Sequence, residues 1–157
     1  IGRTKEELAG SEYQRLTGDS TGNVPQVDAA SAIEKYNRFS KAASLQLVSA
    51  AMGVGLGGLG ITLAKMAIGG RLGMEVDLDS IAADKMDQSS LLFSETQSRI
   101  VATVAPDNQK LFEEVMSGVE FARIGSVTDN GRFSISGAVN LSVEEMEAAY
   151  KQTLGRY

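Results

Sequence analysis

Cysteine and histidine are absent from the 157 residues. Their absence excludes the usual structural zinc site, thiol chemistry, a disulfide scaffold, a Ser-His-Asp triad and an imidazole proton shuttle. It does not fix the compartment. No basic block is present either: 15 Lys+Arg stand against 20 Asp+Glu, a net charge of −5, which speaks against a nucleic-acid partner. What the chain does have is 43% apolar and 22% charged residues, the balance of an ordinary globular domain. Its length suits one domain that buries about two-thirds of its unfolded surface.

Ile1 opens the chain without a Met, and Gly2-Arg3-Thr4-Lys5-Glu6-Glu7 is no signal peptide, so a fragment or a processed start is expected. Residues 42–64 carry no charge, a length that can span a bilayer. Ser44, Gln46, Ser49 and Thr62 interrupt the run, however, and five glycines fall between Gly53 and Gly60. Each Gly costs a helix about 1 kcal/mol relative to Ala. The expectation is therefore a buried strand, a glycine loop and a buried helix, with no membrane span.

Residues 1–26 are polar and punctuated by Gly10, Gly18, Gly22 and Pro25, and residues 27–157 read as the core of a single domain, 1–157. From Asp28, a fair N-cap, Ala29, Ala32, Ile33, Tyr36, Phe39 and Ala43 recur with helical spacing. Leu47 to Met52 reads as a buried strand, and a helix over about 58–68 ends at Gly69-Gly70. Met74, Val76 and Leu78 alternate with Glu75 and Asp77 as a strand with one wet face. Arg99 to Ala105 reads as another strand. Pro106 then suits the first turn of a helix that points Leu111, Phe112, Val115 and Met116 inward, with Gly118 just past its end. Phe121–Val127 and Arg132–Ile135 flank Asp129-Asn130-Gly131, where Asn-Gly predicts a hairpin with a type I′ turn. Ser142 and Glu145 form a capping box, with Leu141 and Met146 placed for a hydrophobic staple and Gly155 as the stop. About five strands and four helices in this order make an α+β domain.

Three polar constellations can carry chemistry. The loop from Gly53 to Gly60 lies between a strand and a helix, where backbone N–H groups can hold a phosphate. Gly55-Leu-Gly-Gly-Leu-Gly60 satisfies G-x-G-x-x-G, but no acid follows at the end of a second parallel strand and no Gly-Lys-Ser/Thr follows either. Anion binding and close backbone packing both remain open for it. Ser94-Glu95-Thr96-Gln97-Ser98-Arg99 stands where a loop enters a strand, as a local salt bridge or a ligand site. Gly10-Ser11-Glu12-Tyr13 is a helix start or a third contact. Six acids lie between Glu75 and Glu95. Their spacing matches no calcium loop, so they read as solvated rather than as a metal site.

Taken together these segments resemble one family. Ile1 to Tyr13, Gly57 to Ile68, Leu92-Phe-Ser-Glu-Thr-Gln-Ser-Arg99 and Ile124 to Asp129, followed by the terminal helix, are similar in order to the C-terminal domain of phosphoribosylformylglycinamidine synthase of the small PurL form. That enzyme belongs to the PurM/PurL ATP-binding superfamily, with aminoimidazole ribonucleotide synthetase, selenophosphate synthetase and thiamine-phosphate kinase. The resemblance implies a three-layer α/β/α fold with a mixed sheet. It implies a cytoplasmic ligase of purine biosynthesis that converts formylglycinamide ribonucleotide, ATP and ammonia to formylglycinamidine ribonucleotide, ADP and phosphate. ATP and Mg²⁺ would lie mainly in an upstream domain, with the glutaminase subunit PurQ and the small PurS as further partners. On this chain it implies Gly57 and Gly58 at the substrate phosphate and Gly10, Ser11 and Glu12 at the domain junction. Ser94, Glu95 and Arg99 would support them from behind.

One stretch departs from the family pattern His-Asp-x-Ser-Asp/Glu-Gly-Gly-Leu. Here Met52, Gly53, Val54, Gly55 and Leu56 precede Gly57-Gly58-Leu59, so backbone donors survive where acidic side chains do not. The expected role is a domain that closes a substrate cleft and does not turn over alone. The alternatives are a noncatalytic, pseudo-symmetric structural half, or a domain of a relative such as a cyclo-ligase. An apolar face of Tyr13, Leu16, Val54, Leu56 and Leu59 is expected where a neighbouring domain would pack.

Overall fold

The polar start of the chain folds because its turns are capped by their own side chains. In the computed structural model, which describes residues 1–19, 21–81, 83 and 85–152, Ser11 Oγ accepts from Gln14 N–H at 3.2 Å and starts α1 (Glu12–Thr17). Gly18, at φ 78°, ends it. Asp28 caps α2 (Ala29–Ser44) as expected, its Oδ1 accepting from the N–H groups of Ala30 and Ser31. The remaining elements are β1 (Ala50–Gly53), α3 (Gly58–Gly70), β2 (Gly73–Val76), α4 (Gln88–Phe93), β3 (Ile100–Thr103), α5 (Gln109–Met116), β4 (Gly125–Thr128), β5 (Arg132–Ile135), β6 (Val139–Ser142) and α6 (Val143–Gln152). Short 3₁₀ turns cover Leu78–Ser80 and Pro106–Asn108.

The chain divides into two compact units, residues 1–62 with 82–122 and residues 63–81 with 123–157. In the first, β1 pairs antiparallel with β3, Ala50 opposite Thr103 and Gly53 opposite Ile100. α2 packs on α5 around Ala42, Leu47, Phe112 and Met116, with Phe112 edge-on to Phe121. In the second, the strand order is β4-β2-β5-β6. β2 is antiparallel to β4 and parallel to β5, so the sheet is mixed. Met74, Val76, Phe133 and Ile135 are buried in this unit with Val143 and Met146 of α6. The architecture is α+β with a mixed sheet. Among the described residues no helix is long and apolar enough to cross a membrane.

Several sequence expectations are corrected. The hairpin around Asn130-Gly131 does not form, because β2 lies between β4 and β5. A type I′ turn needs positive φ at both central residues. Gly131 has φ 65°, but Asn130 is not in that region. Its Oδ1 instead accepts from Arg132 N–H and Thr128 Oγ1, making an Asx turn. The paired hairpin is β5-β6, closed through Gly137 at φ 71°. The first predicted strand begins three residues late, at Ala50. The N–H groups of Gln46 and Leu47 instead close the end of α2 by donating to the carbonyls of Ala43 and Ala42. α3 runs through Gly69-Gly70, and the left-handed turn falls on Arg71 at φ 52°. The predicted strand 99–105 is shortened to Ile100–Thr103. Among the described residues there are six strands and six α-helices rather than about five and four. On α2, Ile33 and Tyr36 face solvent despite their spacing. Gly155, the expected stop of α6, and Asp84 of the acidic stretch lie outside the described residues.

Candidate functional site

The motifs that are far apart in sequence meet in the first unit. The N-terminal segment lies along residues 94–100, joined by bonds between side chains and main chain. Ser94 Oγ donates to Lys5 O at 2.7 Å, and Lys5 N–H donates to Thr96 Oγ1 at 3.1 Å. Arg99 is buried, and its three donor positions end on the Thr96 carbonyl, Thr4 Oγ1 and the Ser94 carbonyl. Burial pushes the Arg99 guanidinium down to about 10, with the nearby Glu7 carboxylate opposing. Among the described residues Arg99 makes no direct carboxylate pair, so the expected Glu95–Arg99 salt bridge is replaced by neutral acceptors. A buried guanidinium with each of its nitrogens bonded is tolerable where an unpaired one is not.

Glu95 turns the other way. It is 8% exposed, and its Oε1 accepts from two main-chain donors, Gly57 N–H at 2.8 Å and Glu12 N–H at 3.0 Å. One carboxylate oxygen therefore ties the glycine loop before α3 to the first residue of α1. Negative charge at these N–H groups is favourable for the same reason that helix N-termini hold anions. The second glycine of the pair is used differently. Gly58 N–H donates to Gly55 O at 2.9 Å, and a Cβ at Gly58 would stand 2.6–2.7 Å from Leu92 O, Phe93 C and Ser94 O. Gly57 and Gly58 are thus both engaged internally in this conformation, Gly57 on an anion and Gly58 on backbone. The outer part of the loop is open: Leu56 is 69% exposed, and a Cβ at Gly53 or Gly55 would meet nothing within 4 Å.

The third constellation surrounds α1. Gly10, at φ 78°, has its N–H on Gln14 Oε1 at 3.0 Å, and Ser11 is the buried N-cap. The Glu12 side chain pairs with Arg15, and Tyr13 stacks on Phe93 with ring centroids 4.9 Å apart. Beside it, a groove of about 560 Å³ is lined by Glu6, Tyr13, Asp19, Asp87, Gln88 and Ser90 among others. Its three carboxylates make it a poor place for a phosphate. The expected apolar face is split. Leu16 and Leu56 are exposed, whereas Val54 and Leu59 are buried and Tyr13 is half-buried. Val54 enters the core because its N–H donates to Arg99 O and continues the β1-β3 ladder inward.

Thr4, Glu7, Gln14 and Thr96 were not singled out from sequence, yet all four are buried. Glu7 Oε1 accepts from Gln26 N–H at 3.2 Å, while its Oε2 is buried with no partner among the described residues. Thr4, Glu7 and Thr96 lie within the motifs, which was the signal available for them, whereas Gln14 follows Tyr13 and carried none. The acidic stretch disperses: Asp77 caps the 3₁₀ turn and Asp87 caps α4. Among the described residues no group of acids is arranged to hold a metal ion.

Several known proteins are similar to this chain. The family model described as AIR synthase related protein, C-terminal domain, matches residues 4–138. The phosphoribosylformylglycinamidine synthase subunit PurL of Methanocaldococcus jannaschii is 34% identical over 149 residues, which is 94% of this chain and 20% of that protein. Among solved structures, PurLQS from Thermotoga maritima matches with a TM-score of 0.75 at 18% identity, over 92% of this chain and 24% of that one. T. maritima PurL complexed with FGAR gives 0.71 at 21% identity, over 83% and 23%. At such identities the structural likeness carries the fold. This chain spans about a fifth of the length of the curated relatives it matches.

Proposed function

Because the chain belongs to the family of AIR synthase related protein C-terminal domains, we propose that it serves as the C-terminal domain of a PurL-type C–N ligase of purine biosynthesis. In that reaction ATP phosphorylates the amide oxygen of formylglycinamide ribonucleotide, and ammonia then displaces phosphate to leave the amidine. The observation that supports this reading is the joining of three motif segments through Glu95: the start of α1, the loop at Gly57 and the loop before β3. Ser94 and Arg99 join the loop before β3 to the N-terminal segment at Lys5 and Thr4.

On this reading the domain closes one side of a substrate cleft. Gly57 and Gly58 approach the ribonucleotide phosphate, and Gly10, Ser11 and Glu12 line the junction with an upstream domain that carries ATP and Mg²⁺. PurQ supplies the ammonia and PurS bridges the assembly, in the cytoplasm. Nothing in the glycine loop supplies an acid or a base. The work of this chain is therefore binding and orientation, which lowers a barrier by holding reactants in place. The apolar loop, with both of its amides already bonded, favours a second reading in which the domain is a noncatalytic structural half.

One experiment separates them. The matching fifth of the M. jannaschii subunit is replaced by this chain, and ADP release is measured with formylglycinamide ribonucleotide, ATP, Mg²⁺ and ammonia. The isolated chain is assayed in parallel. Turnover by the chimera and none by the isolated chain supports the cleft-closing role. A chimera that assembles and binds substrate but does not turn over supports the structural half. Turnover by the isolated chain overturns both.

A further inference from the structure

We infer that Asn130 is a site of spontaneous covalent modification: an intramolecular deamidation by the Gly131 main-chain nitrogen, assisted by the turn that holds the Asn130 side chain. Of the asparagines at Asn23, Asn37, Asn108, Asn130 and Asn140, only Asn130 is followed by glycine. A glycine has no Cβ to obstruct the approach of its nitrogen to the preceding side chain. In the first step the Gly131 nitrogen bonds to Asn130 Cγ and gives up its proton. The Cγ–Nδ2 bond breaks, and Nδ2 leaves with that proton as ammonia. Water then opens the cyclic imide at either carbonyl. The product is aspartate or its isoaspartyl isomer, whose main chain runs through Cγ and is longer by one carbon.

Three features of the second unit favour this step in the folded chain. First, attack at Cγ builds negative charge on Oδ1, which already accepts from Arg132 N–H at 2.9 Å and Thr128 Oγ1 at 2.8 Å. Donors in place where charge develops stabilise a tetrahedral intermediate, as an oxyanion hole does. They meet the oxygen while the nitrogen attacks the carbon, so the two do not compete. Second, among the described residues neither Asn130 Nδ2 nor Gly131 N–H donates a hydrogen bond. Neither the leaving group nor the nucleophile has a partner to lose. Third, Asn130 is exposed, and a Cβ added at Gly131 would meet nothing within 4 Å. Ammonia can leave and water can enter. The two products differ in their effect on the fold. Aspartate keeps an oxygen for both donors and adds a charge. The isoaspartyl link displaces Gly131, whose carbonyl accepts from Val143 N–H at 3.0 Å, and Arg132, which stands opposite Ser142 in the β5-β6 ladder. Isomerisation therefore loosens the start of β5 and of α6.

The test incubates the full chain at mildly alkaline pH, where the Gly131 nitrogen loses its proton more readily. Ammonia release is followed, with the aspartyl and isoaspartyl content at each asparagine read by peptide mapping. In the folded chain Asn130 converts several-fold ahead of the other asparagines, giving both products and one ammonia per conversion. It converts no slower than in the same chain unfolded by urea. Thr128→Val removes one of the two donors to Oδ1, so it slows conversion several-fold in the folded chain and leaves the rate in urea unchanged. If Thr128→Val does not fold, the native chain compared with and without urea decides. Conversion at Asn130 that is slower in the folded than in the unfolded chain, or a folded Thr128→Val rate equal to the native one, overturns the inference. Either result leaves the proposed ligase role to the chimera, whose turnover needs no chemistry at Asn130.

Discussion

In the first unit, segments more than 80 residues apart are joined mainly by side chains that bond to main chain: Ser94 to Lys5, Glu95 to Glu12, and Arg99 to the carbonyls of its own loop and to Thr4. In the second unit, β4, β2, β5 and β6 are joined by main-chain ladders, with apolar Met74, Val76, Phe133 and Ile135 on the buried side. A ladder tolerates most changes of side chain that keep the alternation of faces. A network of buried side-chain donors does not, since losing one member leaves its partners unsatisfied. The first unit is thus specified by particular residues and the second by a pattern. It is the first that holds all three polar motifs.

The sharpest way to break the contrast is Arg99→Met. It fills similar space but strips donors from the Ser94 and Thr96 carbonyls and from Thr4, and it leaves the Glu7 carboxylate without its compensating charge. Leaving a buried acceptor without its partner costs about 1–3 kcal/mol. The denaturation midpoint of the chain should fall accordingly. A loss below about 1 kcal/mol would mean that the network contributes no more than a surface pair.

Next in size is Gly58→Ala. A left-handed φ of 68° costs a side chain about 1–2 kcal/mol. The clash with the backbone of residues 92–94 adds about 1–3 kcal/mol. Gly10→Ala is the control, since it has φ 78° with nothing within 4 Å of the added Cβ and should cost only the conformational part, about 1–2 kcal/mol. Equal midpoints for the two variants would show that close approach at Gly58 is unimportant.

The same contrast explains what the sequence made legible. Helix starts were readable, because a cap acts over three or four residues: Asp28 before α2, Pro106 before α5, and Ser142 with Glu145 at α6. Non-local pairing was not. Nothing around Asn130-Gly131 announces that β2, more than 50 residues earlier, will separate the two strands that flank it. Ile33 and Tyr36 keep helical spacing yet face solvent, because periodicity marks an apolar stripe and not what covers it. The candidate site was legible as three motifs but not as one network. The bond from Gly57 to Glu95 obeys no spacing rule, and Glu7 and Thr4 carry no signature outside their motif.

The smallest effect tests the second unit at the capping box that starts α6. Ser142 N–H donates to Glu145 Oε2 at 2.7 Å, and Glu145 N–H donates to Ser142 Oγ at 3.1 Å. Ser142→Ala removes one half of this box and should cost about 1 kcal/mol. The other half has a pH signature. The main-chain bond from Ser142 holds the Glu145 carboxyl below its ordinary 4.5, helped by the Ser142 hydroxyl and the nearby Arg132. A carboxyl whose folded pKa lies below its unfolded one binds fewer protons when folded, so its contribution is complete above about pH 4.5 and is lost as pH falls through the folded value. Glu145→Gln carries no such titration. Its stability gap from the native chain should therefore be widest near neutral pH and narrow on acidification, as followed by thermal unfolding of α6 and its sheet. Exposure and salt screening keep the effect small. A gap that stays constant down to strongly acidic pH would show that the box holds α6 through neutral hydrogen bonds alone, with the charge of Glu145 contributing nothing to it.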